Sequence, residues 1–381
     1  MEKAEWTQYD LFHPTEEHRM LRQMVRDFVK SELEPQALEF DRQERFNLPL
    51  FRQLGELGLL GITVPEEFGG SQMDATAAVI AHEELSASDP GFCLAYLAHS
   101  MLCVHNLYIN GTDQLKKDYL PQLCTGEKVG AMAMSEPHVG TDVLGMKTTA
   151  EKKGDRYVLN GRKKWITNGT LDENNSVADC VLVYAKTGEK NGRPDLSTFF
   201  VDKSFSGYSV GQKIKDKTGM RASNTAELVF ENCEVPSSHL IGEEGDSLVH
   251  MMRNLEIERL TLAAMSSGIA LRSLHEMSRY ASEREAFGRP ISHFGQIQKY
   301  IGESYAEFMA ARSYIYETAR RLDIHQAGQR LDSDGVKLVA STMAKNVADR
   351  AMQVMGGYGY VGEYTVERLW RDAKLLEIGG G

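Results

Sequence analysis

The hydrophobic period of the chain changes twice along its length, and that limits what it can build. In EEHRMLRQMVRDFVKSEL the residues Leu21, Met24, Val25, Phe28 and Val29 recur three and four positions apart, the spacing of a helix with one buried face. The helix is expected to stop before Pro35. Helical patterns resume in LPLFRQLGELGLLG, ATAAVIAHEELSA and TDQLKKDYLPQL, while GITVPEEFGG, cut by proline and glycine, reads as a turn. Near Gly126 the period drops to that of strands. RYVLNGRKKWITNG, ADCVLVYAK, LSTFFVDK, YSVGQKI and AELVFENCEV follow one another with turn residues between them, and Asn160-Gly161 predicts a hairpin. After Pro236 helical patterns return in long segments starting near Asp246, His293 and Asp334, which suggests a bundle. The expectation is an α+β, multidomain chain: an N-terminal helical domain over 1–126, a middle antiparallel β domain over 127–240 and a C-terminal four-helix-bundle-like domain over 241–381.

A chain of 381 residues is long for one core and suits two or three. Its net charge of −11 argues against nucleic acid as a partner, because phosphate backbones demand basic surfaces. Cys93, Cys103, Cys124, Cys180 and Cys233 lack CxxC spacing, which fits free thiols in a reducing compartment and no zinc site. There is no HExxH, P-loop or GxSxG string, and no metal is expected. No apolar run reaches the roughly 18 residues of a membrane span. The opening MEKAEWTQYDLFHPTEEHRM is too acidic and polar for a targeting peptide. The expected location is the cytoplasm of a bacterium, or the mitochondrial matrix after loss of a presequence.

NLEIERLTLAAM, from Asn254 to Met265, sets two carboxylates in a segment otherwise suited to burial. Glu258 shares a face with Met251, Leu255, Leu262 and Met265, whereas Glu256 has Arg253 and Arg259 three residues away on either side. A carboxylate on an apolar stripe should titrate high, as a general base near neutrality does. Snorkelling to water, or an arginine from elsewhere, would account for Glu258 equally on spacing alone.

Five strings in series carry a resemblance: AMSEPHVGTDV, KKWITNG, REAFGRPI, QVMGGYGY and RDAKLLEIGGG. Through them essentially the whole chain resembles the acyl-CoA dehydrogenases. Each string also makes physical sense. An indole on a strand can cover a flat ring, an arginine fork suits pyrophosphate, and a glycine pair lets a backbone come close to a ligand. Taken singly, a core tryptophan, a solvated arginine and a helix-terminal glycine pair would explain them as well.

The resemblance implies FAD as cofactor, with contacts on Met132, Ala133, Met134, Ser135, Thr141, Trp165, Ile166 and Thr167. It places further contacts on Arg284, Phe287, Gln353, Gly356 and Gly357, donated across a subunit interface in a homotetramer. Thr141, Glu256, Arg259, Gly380 and Gly381 would meet the acyl-CoA. One departure is Gly295, where many members carry a flavin-contacting glutamine; Gln296 and Gln298 are its neighbours.

Most members carry their catalytic glutamate in the C-terminal tract, at the position held here by Gly380, and glycine cannot abstract a proton. The branch similar to isovaleryl-CoA dehydrogenase carries it on the long helix in a motif like Leu255-Glu256-Ile257-Glu258-Arg259-Leu260, which assigns the base to Glu258. The resemblance therefore implies dehydrogenation of a short branched acyl-CoA, isovaleryl-CoA to 3-methylcrotonyl-CoA in leucine degradation. Electrons would pass to an electron-transferring flavoprotein. The alternatives are a relative acting on another short, cyclic or terpenoid acyl-CoA, an acyl-CoA oxidase, and a non-catalytic acyl-CoA-binding paralogue.

Overall fold

A computed structural model describes residues 10–190, 192–326 and 330–381, so the first nine residues of the acidic opening stretch lie outside it. The N-terminal helices are α1 (Glu16–Phe28), α2 (Glu34–Gln43), α3 (Leu48–Glu56), α4 (Ala75–Ser86), α5 (Pro90–Leu97), α6 (Asn106–Asn110) and α7 (Asp113–Cys124). Five of them start where the sequence supplies an oxygen for an orphan N–H: Thr15, Asn47, Asp74, Asp89 and Thr112 each accept from a first-turn amide.

Pro35 does not end the first helix as the sequence suggested. The chain widens into a π segment, Val29–Leu33, where Glu34 N–H reaches back to Val29 O, and α2 begins with Pro35 in its first turn. A proline there forfeits no intrahelical bond, so the helix passes through it. A second π segment, Ala98–His105, joins α5 to α6. The helical run Pro90–Asn110 is long and apolar enough to cross a membrane by length and composition alone, and 78% of its most apolar window is buried within the protein, as in a core helix.

The middle of the chain forms an eight-stranded sheet: β1 (Gly130–Ala133), β2 (Thr149–Lys153), β3 (Arg156–Thr167), β4 (Cys180–Lys190), β5 (Arg193–Asp202), β6 (Tyr208–Lys213), β7 (Thr225–Pro236) and β8 (Leu240–Ile241). The spatial order is β6-β7-β3-β2-β4-β5-β8, with β1 on β4. The long pairs are antiparallel, and β1 and β2 each meet β4 in parallel.

The Asn160-Gly161 hairpin is a misreading. Both residues lie inside β3, and the turn falls earlier, at Gly154-Asp155, where Lys153 pairs with Arg156. Asn160 and Gly161 serve a bulge against β7: Asn160 Oδ1 accepts from Asn232 N, and the register shifts between Leu159 and Gly161. Gly161 has φ +154°, and a Cβ on it would stand 2.4 Å from Thr148 Oγ1 and 2.7 Å from Thr148 Cα. The same dipeptide chemistry that makes a turn here lets two backbones touch.

The C-terminal part consists of α8 (Ser247–Glu283), a two-residue ribbon β9 (Glu285–Ala286) and β10 (Arg289–Pro290), α9 (Gly295–Arg321), α10 (Arg330–Met355) and α11 (Thr365–Ile378). α10 packs along α8 and also touches α9 and α11. α4 crosses α8 so closely that a Cβ on Gly268 would stand 2.2 Å from Glu83 O. One apolar core runs without a break from Leu21 and Phe51 through Leu85 and Leu260 to Ala340 and Leu376, fusing the two helical parts. The sheet keeps its own core around Tyr157, Val181, Phe199 and Phe230.

Candidate active site

α8 carries 37 residues, about 55 Å at 1.5 Å per residue, which is long enough to touch all three parts of the chain. At its start Ser247 Oγ bonds Thr198 Oγ1 of β5, and further along it packs on α4, α10 and α11. Glu258 lies between these contacts. It is 8% exposed and its Oε2 has no hydrogen-bond partner. Burial pushes its carboxyl up to about 7, against the opposing pull of Arg259 and Lys337. Across from it, Tyr184 OH accepts from Asn106 Nδ2 at 3.3 Å, and burial reinforced by the charge of Glu258 pushes that phenol up to about 12.

The C-terminal turn closes over this carboxyl. Arg259 Nε donates to Gly380 O at 2.9 Å, and Arg259 Nη1 to Asp334 Oδ1 at 2.5 Å. Gly380 holds φ +75°, and a Cβ there would stand 2.7 Å from Leu262 Cδ1 and 3.9 Å from Glu258 Oε1. Gly380, the C-terminal position where most members of the family are expected to carry a glutamate, therefore faces Glu258 of the long helix. Glu377 turns away: its Oε2 accepts from Lys374 Nζ at 2.7 Å. Glu256 is buried as well, at 5%, so exposure does not separate the two helix glutamates. Arg253 donates to Asn110 Oδ1 at 3.4 Å.

The residues expected to meet FAD form two groups. In the first, Lys164 N donates to Ser135 O at 2.9 Å and ties the segment Met132 to Ser135 to the end of β3. Ala133 and Ile166 are buried, Met132, Met134, Ser135 and Thr167 are half-buried, and Thr141 is exposed on the loop beyond. A second register shift, between Lys163 and Ile166, turns Trp165 outward at φ +68°, leaving its indole 60% exposed. A large ring on left-handed backbone costs conformational energy and persists where its surroundings impose it, commonly at a ligand site. The uncovered indole and the half-buried polar segment fit a flat, polar-edged ring such as isoalloxazine.

The second group lies where α8 and α10 end. Arg284, Gly356 and Gly357 line an open groove of about 480 Å³ together with Tyr280, Tyr358 and Val361. Phe287 (φ +52°) stands 95% exposed beside it in sequence, and Gln353 is exposed on the last turn of α10. A Cβ on Gly356 or Gly357 would meet nothing within 4 Å, so the cradle is open to an incoming group. At the Gly295 departure, Gln298 Nε2 folds back onto Ser292 O at 3.0 Å, and Gln296 is exposed. Sequence reasoning missed Glu136, Lys163, Tyr184 and Lys337. Glu136 and Lys163 stand inside the strings AMSEPHVGTDV and KKWITNG, so the signal was present for them. Tyr184 and Lys337 become visible only when β4 and α10 are folded against α8. Among the described residues no group of acidic, histidine or cysteine side chains could hold a metal.

Three family models match the chain in succession: the acyl-CoA dehydrogenase N-terminal domain over residues 15–127, its middle domain over 131–233 and its C-terminal domain over 248–381. The mitochondrial isovaleryl-CoA dehydrogenase of Arabidopsis thaliana is 42% identical over 362 residues, which is 94% of this chain and 87% of that protein. A mitochondrial 2-methylacyl-CoA dehydrogenase of Solanum tuberosum is 40% identical over 365 residues, 95% of this chain and 87% of that one. Among solved structures, butyryl-CoA dehydrogenase from Megasphaera elsdenii superposes with a TM-score of 0.92 at 33% identity, covering 97% of this chain and 95% of that chain. A chain from a study of the electron transferring flavoprotein of Acidaminococcus fermentans gives 0.92 at 37% identity, with the same coverage. An acyl-CoA dehydrogenase from Bacillus anthracis, complexed with FAD, gives 0.88 at 33% identity over 96% of this chain and 64% of that one. The chain belongs to the acyl-CoA dehydrogenase family and is an FAD-dependent oxidoreductase.

Proposed function

We propose that this enzyme removes the α- and β-hydrogens of a short branched acyl-CoA, converting isovaleryl-CoA to 3-methylcrotonyl-CoA, with Glu258 as the base that takes the α-proton. The observation that carries the reading is the unpartnered Glu258 Oε2, buried on α8 and facing Gly380. A carboxyl poised at about 7 is ionised in much of the population near neutral pH and can accept a proton from a weak carbon acid. FAD, when bound, supplies the two-electron acceptor for the β-hydride. Met132 to Ser135, Thr141 and Trp165 to Thr167 would hold its ring, and Arg284, Phe287, Gln353, Gly356 and Gly357 the remainder.

The second group is built on the ends of α8 and α10, whereas the first is built on the sheet, whose main packing partners are other strands and the π segment after α5. That separation supports a homotetramer in which the groove of one subunit serves the flavin of another. Thr141, Glu256, Arg259, Gly380 and Gly381 would meet the acyl-CoA, and the glycines leave room for branching beside the reacting carbons. An electron-transferring flavoprotein would take the electrons, in keeping with the chain from Acidaminococcus fermentans. A 2-methyl-branched acyl chain is the second reading, favoured by the relative from Solanum tuberosum.

The test is Glu258→Gln, followed by anaerobic single-turnover reduction of the bound flavin. The variant should keep its FAD and lose about a thousandfold in reduction rate, within the span of general-base effects. A rate within about tenfold of wild type would assign the proton transfer to another group.

A further inference from the structure

The segment that carries Ser135 and Thr141 is held by a buried ion pair with no assigned role. Glu136 Oε1 accepts from Lys163 Nζ at 2.9 Å and from Thr148 N at 3.0 Å, and Oε2 accepts from Lys147 N at 2.7 Å. Lys163 Nζ also donates to Met134 O at 3.0 Å. Both side chains are shut away from solvent, Lys163 at 0% and Glu136 at 5%. Glu136 and Val139 exchange backbone bonds, at 2.8 and 3.2 Å, so one residue closes the neck of a loop that leaves at Pro137 and returns at Lys147. Most of that loop is exposed: Pro137, His138, Gly140, Thr141, Asp142, Leu144 and Gly145 all face solvent.

We propose that Glu136 and Lys163 are positioning residues: their clasp fixes loop 137–146, and with it Thr141, over the acyl-CoA, and aligns the Met134–Ser135 peptide beside the flavin ring. A buried ion pair is weak evidence of stability, because desolvating two charges offsets most of their attraction. What it supplies is geometry. Three donors converge on one carboxylate, and one ammonium bridges it to the carbonyl two residues earlier. Burial lowers Lys163 to about 8 against the pull of Glu136; burial works to raise Glu136, and Lys163 with the two amides holds it below the usual range. The pair is thus charged at neutral pH. A donor on Met134 O also polarises the peptide that ends in Ser135 N–H, making that N–H a stronger donor.

The proposal rests on the acyl-CoA dehydrogenase reading but not on the identity of the acyl chain. Its test is Glu136→Gln in the FAD-loaded enzyme, with amide hydrogen exchange over residues 137–148 as a readout that needs no turnover. KM and kcat are measured with whichever acyl-CoA the wild type uses best. Glutamine keeps the shape and one acceptor oxygen, so FAD should stay bound. The thermal midpoint should fall, because buried Lys163 loses its counter-charge and one backbone donor meets an amide NH2, and the assays are therefore run well below the variant's own midpoint. Exchange in the loop should rise about tenfold or more, and KM should rise by a similar factor with kcat changing far less. Lys163→Gln is the second variant and should loosen the same amides and shift the bound flavin's absorbance. Unchanged exchange and unchanged KM in a folded, FAD-loaded Glu136→Gln enzyme would overturn the proposal. So would a loss of kcat alone.

Discussion

Glu258 and Gly380 face each other across a narrow gap: a Cβ on Gly380 would stand 3.9 Å from Glu258 Oε1 and only 2.7 Å from Leu262 Cδ1. Adding a side chain at Gly380 would force L-residue strain at φ +75° and push Leu262 aside, in the space that a branched acyl chain would use. Gly380→Glu should therefore lower kcat/KM for isovaleryl-CoA more than for butyryl-CoA, by about tenfold or more in relative terms. Steady-state kinetics on the two substrates checks this, and equal losses would contradict it. The titration of Glu258 has two consequences with opposite signs. As the proposed base, Glu258 must be ionised to take the proton, so kcat/KM should rise with pH through about 7. Stability runs the other way. The folded-state value of about 7 lies above the ordinary 4.5, so the folded chain holds that proton more tightly; its contribution is full below 4.5 and is lost as pH rises through 7. Glu258→Gln should gain on wild type by up to about 3 kcal/mol between pH 5 and pH 8, read as a widening gap in thermal midpoint.

At the level of elements, periodicity told helices from strands because each buries a face with its own repeat: α8, α9 and α10 and the strands β4 to β7 lie where the pattern put them, while β3 runs straight through the expected turn. Local chemistry was harder to read. Proline and Asn-Gly carry the same intrinsic preferences everywhere, but a π turn absorbs Pro35 and a bulge absorbs Asn160-Gly161, and both depend on neighbours distant in sequence. The candidate site was legible where one string holds its residues, as with Glu258 or Trp165. It was not legible where strings meet: nothing in KKWITNG shows that Lys163 reaches Glu136, or in the α10 stretch that Lys337 faces Glu258. The bulge makes its own prediction. Gly161→Val would drive a side chain into the Thr148 backbone at 2.7 Å and should cost about 2 kcal/mol or more, lowering the thermal midpoint, because the neighbour that must move is main chain. Gly188, with nothing within 4 Å of its added Cβ, should accept valine with little change and serves as the control.

Across the whole molecule, the two helical parts share one core and are pinned at its centre by Glu83, which is fully buried. Its carboxylate accepts from Arg22 of α1, Arg312 and Tyr316 of α9 and Ser267 of α8. Burial works to raise it, and Arg312 and Arg22 override that and hold it at about 2. Glu83→Ala would leave half-buried Arg312 without its carboxylate and buried Arg22 with Glu84 alone, and should cost about 3 kcal/mol, visible in chemical denaturation at neutral pH, with the deficit shrinking as pH falls toward 2. This node and the long α8 bring the sheet, the N-terminal helices and the C-terminal turn to one carboxylate. The proposed substrate for the site they enclose is a short branched thioester. Anaerobic titration of the FAD-loaded enzyme, following the oxidised-flavin absorbance with isovaleryl-CoA, butyryl-CoA and octanoyl-CoA, tests that most directly. Prompt bleaching by isovaleryl-CoA ahead of the other two is expected; bleaching by octanoyl-CoA or butyryl-CoA with isovaleryl-CoA inert would contradict the proposed substrate.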